Sequence, residues 1–248
     1  MPNKTAIKLD EGVSEKTFFS QVSRRRFLNY AGLTAGAMVF ASSCKKDLRG
    51  GESASDFAHE DPHNKPKNTV NLGSGDIGVL NYAYALEQLE AAFYAQVNQT
   101  PYAGISGKEA DYLQDIRQHE IAHREFLKNV LGDKAIGTLL LDFSSINFSS
   151  RDSVLATAKA FEDVGVSAYN GAGQLLQSPD YLLYAGKIVS VEARHAACLR
   201  DLISYGSFAD STAVNSMGLD LVRTPTEVLA IASTYIKTKI IANNLPTS

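Results

Sequence analysis

The sequence predicts an all-α domain: a four-helix bundle with one long crossover between its second and third helices and an extra short C-terminal helix. Three observations carry that expectation. Apolar residues recur at steps of three and four through four long stretches, the spacing that puts them on one face of a helix. One tetrapeptide pattern, Glu-x-x-His, occurs twice, as Glu120-Ile-Ala-His123 and Glu192-Ala-Arg-His195. In every one of the four stretches a Glu stands where the stripe calls for Leu or Ile.

The stripes read in order as follows. The first runs Leu80, Ala83, Glu87, Glu90, Tyr94, Val97, and the second Leu113, Ile116, Glu120, His123, Leu127, Val130. The third runs Leu155, Ala158, Glu162, Gly165, Tyr169, Ala172, Leu176, and the fourth Ile188, Glu192, His195, Leu199, Leu202. A Glu-x6-Tyr helix is thus followed by a Glu-x2-His helix, and the pair is then repeated. A carboxylate in a core costs several kcal/mol unless it is paired or bound to metal. Four carboxylates facing one another call for about four positive charges, which two divalent cations supply, and two imidazoles complete one ligand set per ion. Carboxylate oxygens and imidazole nitrogens suit iron or manganese without excluding zinc. The alternative is a metal-free core network that shares protons.

On these residues the chain resembles the ferritin-like superfamily, and within it the secreted, desiccation-related branch. The resemblance spans roughly Ser74 to Gly206. It implies a dinuclear metal site in which Glu120 and Glu192 bridge the ions, with Glu87, Glu162, His123 and His195 as terminal ligands. Glu90 lies near the face of Glu87 and is open to three readings: a further ligand, an acceptor behind the ligands, or a charge at the mouth of the bundle. Tyr94 and Tyr169 read as core aromatics with satisfied hydroxyls or as hydrogen-bond partners of the ligands.

The punctuation places each element. Residues 1–44 read as an export signal: Ser23-Arg24-Arg25-Arg26-Phe27-Leu28 has the twin-arginine form, and an apolar run follows from Tyr30 to Phe40. Ala41-Ser42-Ser43-Cys44 resembles a lipoprotein cleavage box, with Ala41 where Leu is usual, so Cys44 is the expected lipid attachment point. The expected destination is the periplasm or cell envelope. With Cys44 so used, Cys198 has no disulfide partner and reads as a small buried hydrophobe. Residues 45–74, with Pro62, Pro66, His59 and His63, read as a disordered tether.

The bundle is expected over residues 75–206. Its first helix should run from near Asp76 to near Asn98. The second opens on the capping box Ser106-x-x-Glu109 and stops at Gly132, and the third begins after Ser149-Ser150. The fourth takes Ser178 as N-cap with Pro179 behind it, and stops at Gly206. Short links make the first and second pairs antiparallel. The connection from Gly132 to Ser150 is long enough to cross a helix of roughly 35 Å, so the middle two helices can be parallel. In the extension, residues 207–248, Thr224-Pro225-Thr226-Glu227 is a second capping box opening a short helix to about Ile236. That helix would pack on the bundle or on a second copy of the chain in a homodimer.

At 248 residues with 44% hydrophobic content the chain can hold one sizeable domain, and a net charge of -3 argues against nucleic acid as a partner. Membrane contact is expected only through the lipid anchor. Two function classes remain: a dimetal oxidoreductase of the ferroxidase, peroxidase or catalase type acting on oxygen, peroxide or ferrous iron, and a non-catalytic, metal-stabilised envelope or stress-protection protein. A mineral-storing cage fits a lipid tether poorly. The chain itself carries no Cys-x-x-Cys pair to hold an attached electron donor. Replacing Arg24 and Arg25 with Lys is expected to leave precursor in the cytoplasm on fractionation; unchanged export would remove the signal reading.

Overall fold

The computed structural model describes residues 65–247. The twin-arginine stretch, Cys44, His59 and His63 lie outside the described residues. Among the described residues there are five α-helices: α1 (Gly75–Gln99), α2 (Gly107–Leu131), α3 (Arg151–Gly173), α4 (Pro179–Ile203) and α5 (Pro225–Ala232). Two three-residue strands, β1 (Thr69–Asn71) and β2 (Lys239–Ile241), pair in parallel with Val70 opposite Ile240. The architecture is an all-α four-helix bundle plus a short extra helix. No helix among the described residues is long and apolar enough to cross a membrane.

The caps follow local chemistry. Ser106 and Glu109 form the reciprocal capping box of α2, and Thr224 and Glu227 that of α5. The start of α4 is different. Ser178 occupies the N-cap position but its side chain caps nothing. Instead the Asp76 carboxylate at the start of α1 accepts the backbone N–H groups of Gln177 and Ser178, at 2.8 and 2.9 Å.

Three contacts fix the helix directions. Asp76 joins the starts of α1 and α4. Arg151, the first residue of α3, donates to Glu109 in the first turn of α2 and to the carbonyl of Leu202 at the end of α4. So α2 and α3 start at one end of the bundle and α1 and α4 at the other. The connection of residues 132–150 makes this possible by running back along α1. Asn81 accepts the N–H of Ile136 and donates to the carbonyl of Lys134, both at 2.9 Å. Two turns on, Gln88 accepts the N–H of Leu139 at 3.0 Å. Further along, Phe93 packs on Phe143, Phe148 and Phe161. Covered by the crossover, α1 buries 17 of its 25 residues whereas α2 buries five. The first helix is therefore the centre of the domain, and α2 lies at its rim.

Three expectations need correction. Part of the segment read as a disordered tether is ordered: Lys67 bridges to Leu139 and β1 pairs with β2, so the chain is tied down well before residue 74. Helix α4 ends at Ile203 rather than Gly206, because Ser204 turns to an extended backbone and Gly206 takes a positive φ. Helix α5 stops at Ala232, before Ile236, because the chain leaves it to pair Ile236 with Leu141. Long-range pairing outweighs local helix propensity there.

The extension seats on the bundle through α3. The N–H of Arg223 donates to the carbonyl of Ser167 at 3.0 Å, and its guanidinium to the Ser167 hydroxyl at 2.6 Å. The seat needs Gly171, where a Cβ would stand 1.9 Å from the Arg223 carbonyl oxygen. Gly171→Ala is expected to cost about 1–3 kcal/mol in thermal unfolding through overpacking. Gly186→Ala, at a position with nothing within 4 Å, should be neutral or stabilising by up to about 1 kcal/mol.

Candidate metal centre

The four helices bring the six interrupting residues together. Each comes from the middle of its helix: Glu87 from α1, Glu120 and His123 from α2, Glu162 from α3, Glu192 and His195 from α4. All four Glu are fully buried. Of the six, only the imidazoles reach solvent at all, with 13% of the His123 side chain and 6% of the His195 side chain exposed.

The donor atoms fall into two groups. Glu87, Glu120, His123 and Glu192 form one, and Glu120, Glu162, Glu192 and His195 the other, with the atoms of each group within 4.8 Å of one another. Oxygen and nitrogen ligands lie about 2.0–2.2 Å from a bound transition metal, so donors on opposite sides of an ion are roughly 4.2 Å apart. Each group therefore spans what one ion could bridge, and Glu120 and Glu192 belong to both. Eight buried atoms of these six residues make no hydrogen bond of acceptable geometry, namely both carboxylate oxygens of Glu120 and Glu192, one oxygen each of Glu87 and Glu162, and Nδ1 of both imidazoles. Their near contacts are with one another, as where Nδ1 of His123 lies 2.9 Å from Glu192 and Nδ1 of His195 lies 2.9 Å from Glu120. Buried polar atoms are almost always satisfied. A concentration of such atoms at one point is what a cation would satisfy, and the residues fit one.

The tyrosines lie across from where their own helices suggest. Tyr94 of α1 donates to Oε1 of Glu162 on α3 at 2.6 Å, and Tyr169 of α3 donates to Oε1 of Glu87 on α1 at 2.5 Å. Each Glu has one oxygen held by a phenol, and its other oxygen is the orphan. Glu90 belongs to neither donor group. It is buried, and its Oε1 lies 3.1 Å from the place a Cβ would occupy at Gly165, with Glu192 Oε2 3.3 Å from the same place. Gly165 thus makes room for two carboxylates at once. Cys198 is only half-buried, at the edge of the core rather than within it.

Two contributors escape a reading by stripes. Gly165 sits in its stripe as an apparent gap. His119 precedes Glu120 on the outer face of α2, yet its Nδ1 lies 2.9 Å from Nε2 of His195. A third His beside a Glu-x-x-His motif was the available signal.

Without cations the cluster is electrostatically strained. Burial, and then the charge of Glu162, push Glu120 up to about 7 against the pull of the two imidazoles. Burial and the neighbouring carboxylates raise Glu192 and Glu90 well above the usual carboxylate range. Burial opposes charge on His195, but Glu162 and Glu120 outweigh it and raise its pKa to about 11. His123 is raised in the same way, with Glu87, Glu120 and Glu192 overcoming burial.

Residues 75–205, more than half of the chain and including all six residues, match the family model described as a ferritin-like domain. No curated protein matches the chain.

The shifts share one sign. The Glu120 contribution to folding is full below its ordinary value of 4.5 and is lost as pH passes about 7. The His195 contribution is full below 6.5 and is lost as pH passes about 11. Through these groups the metal-free protein loses stability as pH rises across that window. A cation replaces the protons, so added manganese should raise Tm more at pH 8 than at pH 6; each site in a hundredfold excess over its Kd contributes about 2.7 kcal/mol. Scanning fluorimetry showing a metal-independent Tm at both pH values would contradict it.

Proposed function

Since the chain belongs to the ferritin-like domain family, we propose that its bundle holds two divalent cations, iron or manganese, and uses them as an oxidoreductase towards ferrous iron, oxygen or peroxide. The observation that carries this is the set of eight orphaned donor atoms, divided into two groups that share Glu120 and Glu192. In this reading Glu120 and Glu192 would be shared by the two ions, Glu87 and His123 would complete one position, and Glu162 and His195 the other. Two redox-active ions so held would supply the electrons for the oxidation. The protein's own part is positioning and charge. Tyr94 and Tyr169 each hold one oxygen of a terminal Glu and turn the other inward. Four carboxylates against two imidazoles favour the more highly charged, oxidised state of a cation. Glu90 adds a fifth buried carboxyl beside Glu192, as an acceptor or reserve ligand.

A specific observation favours a second reading. The four carboxylates are sealed from solvent, which suits ions that staple the bundle in a metal-stabilised stress-protection protein of the envelope. Export by the twin-arginine route and anchoring through Cys44 belong to either reading and rest on the sequence alone.

Stopped-flow mixing of the diferrous or dimanganous protein with peroxide, and separately with oxygen, separates the two. Oxidation faster than that of the free ion supports the oxidoreductase. A centre that keeps both ions spectroscopically unchanged over minutes supports the structural metal. Glu120→Ala and Glu192→Ala should each remove more metal than Glu90→Ala in elemental analysis; equal losses would promote Glu90 to a ligand.

A further inference from the structure

The helix-pair repeat relates the two halves of the site, and two of the differences between the halves lie against the cluster. Three residues after the terminal Glu, α1 carries Glu90 where α3 carries Gly165. One residue before the shared Glu, α2 carries His119 where α4 carries Val191. The second difference reaches a ligand directly. His119 is exposed, its ring stacks on that of His195 with centroids 5.2 Å apart and planes within 8°, and its Nδ1 meets Nε2 of His195 at 2.9 Å.

The tautomers follow from which nitrogen faces the carboxylates. His195 turns Nδ1 inward, 2.9 Å from Glu120 Oε1 and 3.3 Å from Glu162 Oε2. To give a cation its Nδ1 lone pair, neutral His195 must carry its proton on Nε2. That N–H then donates to Nδ1 of His119, which accepts. His123 also turns Nδ1 inward, 2.9 Å from Glu192 Oε1. Among the described residues nothing hydrogen-bonds its Nε2, and the corresponding Val191 has no polar atom to offer.

We infer that His119 makes the two cation positions unequal: by accepting the Nε2 proton of His195 it fixes that ring in its ligating tautomer and plane, so the Glu162–His195 position fills first and the Glu87–His123 position is the exchangeable one. The inference rests on the two-ion reading above. A hydrogen-bond acceptor behind a ligating imidazole raises its basicity, and losing one costs about 10–100-fold in metal affinity. The other difference points the same way. Glu90 extends its carboxyl group into the space left by Gly165, one turn beyond Glu162 on α3, so the extra oxygen donor also falls on that side.

The test is calorimetric titration of the chelator-stripped full protein with manganese(II), with an anomalous-scattering map of crystals soaked at one equivalent. Wild type should bind in two steps at least about tenfold apart, with the first density between Glu162 and His195. His119→Leu should weaken the first step about 10–100-fold and bring the steps together. His119→Asn, whose side-chain oxygen replaces Nδ1 as acceptor, should restore most of the separation. His119 is exposed, and circular dichroism of both variants checks that the fold is kept. First density beside His123, two equal steps in wild type, or a His119→Leu titration identical to wild type would each overturn the inference while leaving two-ion binding intact. Failure to bind a second ion would remove both this inference and the reading beneath it.

Discussion

Four fully buried glutamates face one another across the middle of this bundle, and much of the architecture answers to that repulsion. An uncompensated buried charge costs several kcal/mol even after relaxation, and among the described residues no Lys or Arg forms an ion pair with any of the four. The two imidazoles can meet part of the demand by holding protons, which is why burial fails to keep His123 and His195 neutral in the metal-free protein. Two divalent cations would meet it in full and release those protons. The cluster would then hold protons without metal and serve as a ligand set with it. The same geometry makes both states possible.

The surrounding structure is arranged to hold that geometry. Tyr94 and Tyr169 cross between α1 and α3 to restrain the terminal carboxylates, so the two helices of the Glu-x6-Tyr type are coupled through the site itself. Gly165 leaves space where any side chain would press on Glu90 and Glu192. Asn81 and Gln88 satisfy the backbone of the crossover along α1, and that covering seals the α1 side of the cluster. Helices α2 and α4 carry the imidazoles, the parts of the six-residue set that reach solvent.

How much of this could be read from the sequence depends on how local each cause is. The four stripes and their acidic interruptions are local, since a Glu in a run of Leu, Ile and Ala at helical spacing announces a buried charge without any knowledge of the fold. Capping boxes at Ser106 and Thr224 are local too, and their helices begin where those residues stand. Features that join distant segments left no such mark. Thr69–Asn71 and Lys239–Ile241 are three-residue strands with no period to detect, and they exist because each supplies the other's partner. Asp76 caps α4 from the start of α1, about a hundred residues away. The tyrosines each align with a Glu on their own helix, but the bond they make is to the Glu of the other helix. His119 lay outside every stripe because it packs across the surface onto a neighbouring helix, and a search along buried faces passes over it.

On this geometry the inward donors would form two cation positions sharing Glu120 and Glu192. The most direct measurement is anomalous diffraction from crystals of the fully loaded protein, recorded at the iron and manganese edges. Two peaks are expected, one flanked by Glu87 and His123 and the other by Glu162 and His195, with Glu120 and Glu192 beside both. A single peak, or an empty cluster in crystals grown with excess metal, would contradict it.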